Sequence, residues 1–311
     1  MKTITALKAA ATFALAICLT QTGCKRQSDA GGTGSSSNGG GGQKTVIQNI
    51  GSDTMVNLAQ AWSEAYEKVD PSVSVEVVGG GSGIGIAALI NGTCDIANTS
   101  RKLEAEEVEK AKAKHGHEPK EYMVGYDALS IYVHKDNPMN EISLEELSEI
   151  YKEGGKIDKW SQLGAQIPGG DAIVRVSRQN NSGTYHYFRE VVVGKKSDMK
   201  AASLDMHGSK DVVETVARTP SAIGYSGLGY ATPQVKILKV GKKKGGPYVQ
   251  PAIASTLDGS YPIARPMFMY TPGQPTTPVQ KFLDWVMSGE GQKIVEQTGY
   301  VPLPKKVASA N

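Results

Sequence analysis

The chain has 311 residues and a formal net charge of +3, with 21% charged residues and only 6% aromatic residues. This charge balance argues against a strongly basic nucleic-acid-binding surface, and so few aromatic residues offer no stacking platform for bases. The length suffices for two lobes of ordinary domain size.

The first 43 residues predict where the protein works. Two lysines precede a short apolar run at residues 9–19, which is typical of a signal peptide and too short to span a bilayer. We place the signal peptide at residues 1–23 and expect Cys24, which follows Gly23, to become the lipidated first residue of a bacterial lipoprotein. Residues 24–43 then form a Gly/Ser-rich tether. We therefore expect a periplasmic or cell-surface protein that a lipid anchors to a bacterial membrane.

Two strand-to-helix turns follow the tether. A predicted strand at residues 45–50 runs into Gly51-Ser52-Asp53-Thr54-Met55 and then a helix with an apolar face. A second strand, at residues 73–78, runs into the glycine-rich segment 79–85, which contains Ser82 and Gly83. A short apolar helix is predicted after it, at residues 86–90.

The middle of the chain alternates between helical and extended patterns. After a predicted strand at residues 95–97 come a charged helix at 102–114, a long extended run at 121–134 and a short helix at 144–151. Such alternation is typical of layered α/β proteins.

A third strand-to-helix turn is Arg178-Gln179-Asn180-Asn181-Ser182-Gly183-Thr184, between a strand at residues 172–176 and a helix at 185–193. Helix N-termini carry backbone N–H groups without intrahelical partners, and the helix dipole favours negative charge there. The arginine adds a planar fork of donors. An ordinary N-cap explains each turn singly, but three together predict a small-oxyanion site at the carboxyl ends of strands.

The rest of the chain continues the α/β pattern. We predict a helix at residues 211–217, a strand and tight turn at 223–230, a strand at 235–240, an extended run at 262–270 and a helix at 277–287. The two long extended runs, near 122–133 and 262–270, are natural crossovers between two lobes.

Enzyme signatures are weak in this sequence. It has no Gly-x-Ser-x-Gly nucleophile elbow and no P-loop, and its glycines miss the dinucleotide-binding spacing. His115-Gly116-His117-Glu118 could bind a metal, but it lies in a polar helix-to-strand connection. His186 could act as a base, although a place in the first turn of a helix also explains it. We therefore expect no catalysis, no metal and no cofactor.

Together, these residues resemble the periplasmic phosphate-binding proteins of bacterial high-affinity phosphate ABC transporters. The resemblance extends from about Thr45 to Leu303. Besides the three turns, it rests on three further segments: Asp95-Ile96-Ala97-Asn98-Thr99-Ser100-Arg101, Ala222-Ile223-Gly224-Tyr225 and Tyr261-Pro262-Ile263-Ala264-Arg265-Pro266.

The resemblance implies an α/β, two-lobed periplasmic-binding-protein fold of type II, with the ligand in the inter-lobe cleft and a two-strand hinge. Lobe 1 would contain residues 44–127 and 266–311, and lobe 2 residues 128–265. It further implies a monomer that binds inorganic phosphate and delivers it to membrane permease subunits, with no role for nucleic acid.

The family's phosphate contacts also carry over to the matching positions of this chain. They come from hydroxyls, backbone N–H groups and one arginine, with the neighbours that complete each turn: Ser52, Asp53, Thr54, Met55 (through its N–H), Ser82, Gly83, Ser100, Arg178, Ser182, Gly183 and Thr184.

Two positions depart from the family's pattern. Ser100 stands where many members have an aspartate that accepts the phosphate proton and repels sulfate. Asn180 stands where an acidic residue often neutralises the arginine, so we expect a less neutralised Arg178. Asp53 is the nearest acidic candidate for the proton acceptor, unless it only caps a helix. The alternatives are therefore another tetrahedral oxyanion (sulfate, molybdate or tungstate) or, from a different class, a phosphate-handling hydrolase.

Overall fold

A computed structural model describes residues 44–168 and 170–304. The expected signal peptide, Cys24 and the tether lie outside these residues. The strands are β1 (Thr45–Gly51), β2 (Val73–Val78), β3 (Ile96–Thr99), β4 (Lys120–His134), β5 (Glu141–Ser143), β6 (Val174–Arg178), β7 (Leu204–Met206), β8 (Ala222–Gly227), β9 (Val235–Gly241), β10 (Tyr248–Val249) and β11 (Ala264–Thr271). The α-helices are α1 (Val56–Val69), α2 (Ser82–Asn91), α3 (Ala105–His115), α4 (Leu144–Tyr151), α5 (Gly183–Phe188), α6 (Ser209–Arg218), α7 (Ile253–Leu257), α8 (Thr277–Met287) and α9 (Gly289–Gln297).

The sheet falls into two parts that share one strand. In the first, β2, β1 and β3 are parallel neighbours, and antiparallel β11 joins β3 to residues 120–128 of β4. In the second, residues 129–133 of β4 pair with β8, which continues through parallel β6 to β7. Strand β9 also pairs with the end of β4 and carries β5 and β10. We call these two parts, with their helices, the first half and the second half.

Each half has its own hydrophobic core. Trp62 and Phe282 are fully buried in the first half, between the sheet and helices α1 and α8. In the second half, the rings of Phe188 and Tyr225 stack with centroids 3.8 Å apart, next to buried Trp160. The described residues belong to one compact unit, so the two halves are in contact.

The structure confirms the predicted order of strands and helices from β1 to α8. Some boundaries were wrong. Helix α2 begins at Ser82, not at Ile86, so the glycine-rich segment supplies its first turn. The absence of a side chain on Gly85 allows this, because a Cβ there would lie 2.6 Å from the Ile50 carbonyl oxygen. The α-helix after Thr184 is also shorter than predicted, since a π-helical turn at Arg189–Gly194 follows Phe188. Strands β5, β7 and β10 and helices α7 and α9 were not predicted.

No helix in residues 44–168 and 170–304 combines the length and apolar character needed to cross a membrane. The lobe boundaries at residues 127/128 and 265/266 stay a prediction.

Candidate functional site

Two turns of the first half bring hydroxyl groups to the ends of neighbouring strands. Ser52 and Thr54 follow β1, and Ser82 begins α2, which follows β2. All three residues are buried. Gly51 makes the first turn possible, because its φ is +145° and a Cβ would lie 2.2 Å from the Asn98 carbonyl oxygen.

Ser100 joins these hydroxyls into one cluster. It follows β3, and its Oγ lies 3.1 Å from the Oγ of Ser52 and 3.2 Å from the Oγ of Ser82. Its N–H also donates to Ser82 Oγ at 3.0 Å. Three serines from three successive strand ends therefore meet at one point, as parallel strands with a common carboxyl edge allow.

The second half contributes the start of α5. The Oγ of Ser182 accepts the N–H of Thr184 at 3.1 Å and that of Tyr185 at 3.4 Å, so this serine is an N-cap. Thr184 Oγ1 lies 2.8 Å from Thr54 Oγ1, across the junction of the two halves.

Gly183 allows the two halves to approach this closely. A Cβ at this position would lie 2.4 Å from Ser82 Oγ and 2.7 Å from Ser100 Oγ. Any larger residue would push α5 away from the serine cluster of the first half.

Arg178 ends β6 and is 1% exposed. Its Nη1 donates to Ser209 Oγ at 2.9 Å, and its Nη2 donates to the His207 carbonyl oxygen at 2.9 Å and to Asp53 Oδ2 at 3.0 Å. Its Nε is buried and has no hydrogen-bond partner among residues 44–168 and 170–304. Burial lowers the pKa of Arg178 below its ordinary value, and the charge of Asp53 opposes that shift.

The expectation of a poorly neutralised Arg178 was wrong. The neutralising carboxylate is that of Asp53, which lies in the other half. It does not come from position 180, two residues after the arginine, where this chain has Asn180. Asp53 Oδ1 also accepts the Gly80 N–H at 2.8 Å. The N-cap of the short 3-10 helix Asp53–Met55 is Ser52 and not Asp53, so the structure does not support the reading of Asp53 as only an N-cap.

Two predicted site residues, Met55 and Gly83, use their backbone N–H groups in hydrogen bonds within the protein. The Met55 N–H donates to the Ser52 carbonyl oxygen at 2.9 Å, and the Met55 side chain packs in the core of the first half. The Gly83 N–H donates to the Asn181 carbonyl oxygen at 3.0 Å. Asn181, which we did not predict, also donates through Nδ2 to the Gly80 carbonyl oxygen at 3.0 Å.

A second arginine, Arg265, was also missed. It is 1% exposed, and its Nη2 lies 2.9 Å from Oδ2 of Asp127, which is fully buried. The same Nη2 lies 2.8 Å from Thr184 Oγ1 and 3.3 Å from Thr54 Oγ1. The signal in the sequence was a charged Asp127 within a long apolar extended run, because a buried charge needs a partner.

Each buried arginine of the site is thus paired with one aspartate. Because each arginine charge is balanced in this way, a bound anion would be held mainly by hydroxyl and N–H donors and by the N-terminal ends of α2 and α5. Net side-chain charge would contribute less. Within residues 44–168 and 170–304, no group of three or more His, Cys, Asp or Glu residues is placed to hold a metal ion. A pocket of about 570 Å³, lined by Ser100, His186 and Arg265 among others, lies directly beside the cluster.

Comparison with known proteins assigns the chain to a family. The family model described as the PBP superfamily domain matches residues 33–290. The phosphate-binding protein PstS of Pseudomonas aeruginosa is 35% identical over 273 residues, which cover 84% of each chain. The chain belongs to the PBP superfamily and, within it, to the family of PstS. Protein SphX of Synechococcus elongatus is 33% identical, over 86% of this chain and 80% of its own.

Solved structures agree with this assignment to the PBP superfamily. A protein from Clostridium perfringens, described as a phosphate ABC transporter substrate-binding protein and solved with bound phosphate, aligns with a TM-score of 0.74 and 29% identity. The alignment covers 84% of this chain and all of that one. An ABC-type phosphate transport receptor from Vibrio cholerae aligns with a TM-score of 0.65 and 25% identity, over 83% of this chain and all of its own. The predicted fold class, the two-lobed periplasmic-binding-protein fold of type II, is confirmed.

Proposed function

We propose that this protein binds inorganic phosphate outside the cytoplasm and delivers it to the permease subunits of an ABC transporter. The observation that carries this function is the meeting of buried hydroxyls from both halves beside Arg178. The cluster offers many donors to an anion with four oxygens, and PstS relatives are phosphate-binding proteins. The C. perfringens structure contains bound phosphate.

The proposed phosphate ligands are those expected from the sequence. The hydroxyls of Thr54, Ser82 and Thr184 would donate to phosphate oxygens, and Arg178 would supply the fixed positive charge. The remaining members are Ser52, Asp53, Met55, Gly83, Ser100, Ser182 and Gly183. The bonds that join the two halves at the site include Thr54 to Thr184, Gly83 to Asn181 and Asp53 to Arg178.

Phosphate would bind by closure of two lobes, residues 44–127 with 266–311 and residues 128–265, about β4 and β11. The bond between the Thr54 and Thr184 hydroxyls, which belong to opposite halves, supports this, because a ligand could replace it with bonds to its own oxygens. A ligand shifts such an equilibrium only through its different affinity for the open and closed forms.

We further propose that the protein is a monomeric lipoprotein without catalytic activity. The sequence around Cys24 supports the lipid anchor, and stable attachment requires more than one acyl chain. Mass spectrometry of the native N-terminus should find a multiply acylated Cys24. Cleavage at another residue, with no lipid, would contradict this part of the proposal.

Competitive calorimetry with phosphate, sulfate and arsenate tests the binding function. We expect phosphate to bind more tightly than sulfate, because a site whose buried polar groups must be paired discriminates against mismatched ligands. Sulfate binding as tight as phosphate binding would favour the alternative oxyanion. Turnover of a phosphomonoester by the purified protein, lost in Arg178→Ala, would favour the hydrolase.

A further inference from the structure

We propose that Arg265 is a positioning residue that makes the Thr54 and Thr184 hydroxyls act as hydrogen-bond donors to bound phosphate. This inference rests on the proposed function. It concerns a residue that touches the hydroxyls of the site and would act on phosphate through them.

The guanidinium of Arg265 is held in place from several sides. Arg265 on β11 is directly opposite Asp127 on β4, so the pair lies on the two strands that connect the halves. The Nε and Nη2 atoms lie 3.2 and 2.9 Å from Asp127 Oδ2, and Nη1 lies 3.2 Å from the Ser100 carbonyl oxygen. The guanidinium carbon lies 5.4 Å from the centre of the Tyr187 ring. A guanidinium fixed in this way has little freedom to turn from its hydroxyl partners.

Arg265 constrains the hydroxyls because it can only donate. Its Nη2 lies 2.8 Å from Thr184 Oγ1 and 3.3 Å from Thr54 Oγ1, one hydroxyl from each half. A hydroxyl has one proton to donate and two lone pairs to accept with, whereas arginine has five N–H donors and no acceptor. The two N–H groups of Nη2 serve three acceptors, Asp127 Oδ2 and the two threonine oxygens, so one N–H is shared. Each threonine oxygen thus accepts from Arg265, which leaves the hydroxyl proton as the group offered to a ligand.

This polarity has a consequence for the protonation state of the ligand. Hydroxyls that donate favour phosphate oxygens without protons, and they are poor acceptors for a phosphate O–H. With Arg265 in place, the site should favour the more ionised phosphate more strongly than a site with free hydroxyls would. A residue with a purely structural role would change affinity equally at every pH.

Few of the ionisable groups around the guanidinium interfere with this measurement. Asp127 and Arg178 act directly on the guanidinium, and Tyr300 lies near Asp127. The other ionisable groups line the pocket that Arg265 also lines: Arg101, Lys102, Glu104, His186, Tyr187, Arg189, Glu190 and Lys195. Burial raises the pKa of Tyr187 to about 12 and that of Tyr300 well above its ordinary value. Burial, followed by the charge of Arg101, lowers the pKa of His186. Because every variant retains His186, its titration cancels when variants are compared at the same pH.

The test measures phosphate affinity of the full chain by calorimetry at one pH below and one pH above the second ionisation of phosphate. The double variant Asp127→Asn/Arg265→Met removes the donors and keeps the net charge, since one charge of each sign is lost. The matched control makes the same changes at Asp158 and Arg175, an ion pair of 2.9 Å outside the site.

We expect Asp127→Asn/Arg265→Met to lose at least about fivefold more affinity at the higher pH than at the lower. Without Arg265 the threonine hydroxyls are no longer held as donors, and their bonds to the more ionised phosphate, which predominates at the higher pH, are weakened most. The control should keep the pH profile of the parent. Arg265→Lys keeps the charge without the planar fork, so it should show a smaller shift of the same sign; it decides the question if the double variant does not fold. Equal losses at both pH values in a folded variant would overturn the inference. A parent that binds no phosphate would instead overturn the proposed function, and this inference with it.

Discussion

Arg178 and Asp53 form the charged contact that joins the two halves at the site. Their side chains are 1% and 12% exposed, so water screens the pair weakly. Asp53 also holds the glycine-rich turn through the Gly80 N–H. The pair therefore orients both the positive charge of the site and the loop that precedes Ser82.

Replacing Arg178 by alanine should weaken phosphate binding strongly. Truncating one partner of a buried, hydrogen-bonded charge pair typically costs about 2–5 kcal/mol. This corresponds to a loss of about 30-fold to several-thousand-fold in affinity, measured by calorimetry. Arg175→Ala, a change of the same type in an arginine that pairs with Asp158 elsewhere, is the control. An Arg178→Ala affinity within about threefold of the parent would remove this arginine from the site.

Replacing Asp53 by asparagine should reduce discrimination between phosphate and sulfate. A carboxylate beside the anion repels a fully ionised ligand and can accept a phosphate proton, whereas an amide does neither in the same way. We expect the phosphate-to-sulfate affinity ratio to fall by at least about threefold. An unchanged ratio, measured beside the parent, would show that Asp53 acts only through Arg178 and the Gly80 loop.

At the scale of elements, the site depends on how closely α5 approaches α2. The strand-to-helix pattern predicted which turns carry the site, because each turn combines a strand, a glycine and small hydroxyl residues. It could not predict that Asn181 would join α5 to the Gly80–Gly83 turn, since that contact exists only after the two halves meet. The start of α2 was missed because glycine is unfavourable in helices, a local preference that tertiary packing overrides here.

Gly183→Ala should weaken phosphate binding while the protein remains folded. The new Cβ would collide with the Oγ atoms of Ser82 and Ser100, and overpacking of this kind typically costs about 1–3 kcal/mol. Affinity should fall by about fivefold to 150-fold. Gly289→Ala, where a Cβ meets nothing within 4 Å, is the matched control and should bind like the parent. Parent-like binding by Gly183→Ala would mean that α5 need not approach the serine cluster.

At the scale of the whole molecule, the crossovers near residues 122–133 and 262–270 were predicted because both are long extended runs. Asp127 and Arg265 were not recognised as site residues, because the two runs that contain them were interpreted only as connections between lobes. The register that places the two side chains opposite each other appears only in the paired strands. The charged Asp127 in an apolar run indicated that a partner was needed, but the sequence has no local pattern that identifies a partner so far along the chain. Half of the buried charge at the site was therefore not predicted.

Phosphate should favour a more compact arrangement of the protein. The Thr54–Thr184 hydroxyl pair and the Asp53–Arg178 ion pair already join the two halves. A ligand that bonds to both halves at these residues would stabilise the closed arrangement. Small-angle scattering should give a smaller radius of gyration with saturating phosphate than without it, and Arg178→Ala should show a smaller change. Identical curves for the parent in both conditions would mean that the site is preformed or lies within one half.

The most direct test of the account is a crystal structure of the protein with bound phosphate. We expect the anion at the junction of the two halves, with its oxygens within hydrogen-bond distance of Thr54, Ser82, Arg178 and Thr184. Asp53 should remain beside Arg178, and the hydroxyl-to-hydroxyl bond between the two threonines should be replaced by bonds to the anion. Phosphate bound wholly within one half, or away from Arg178, would contradict the account.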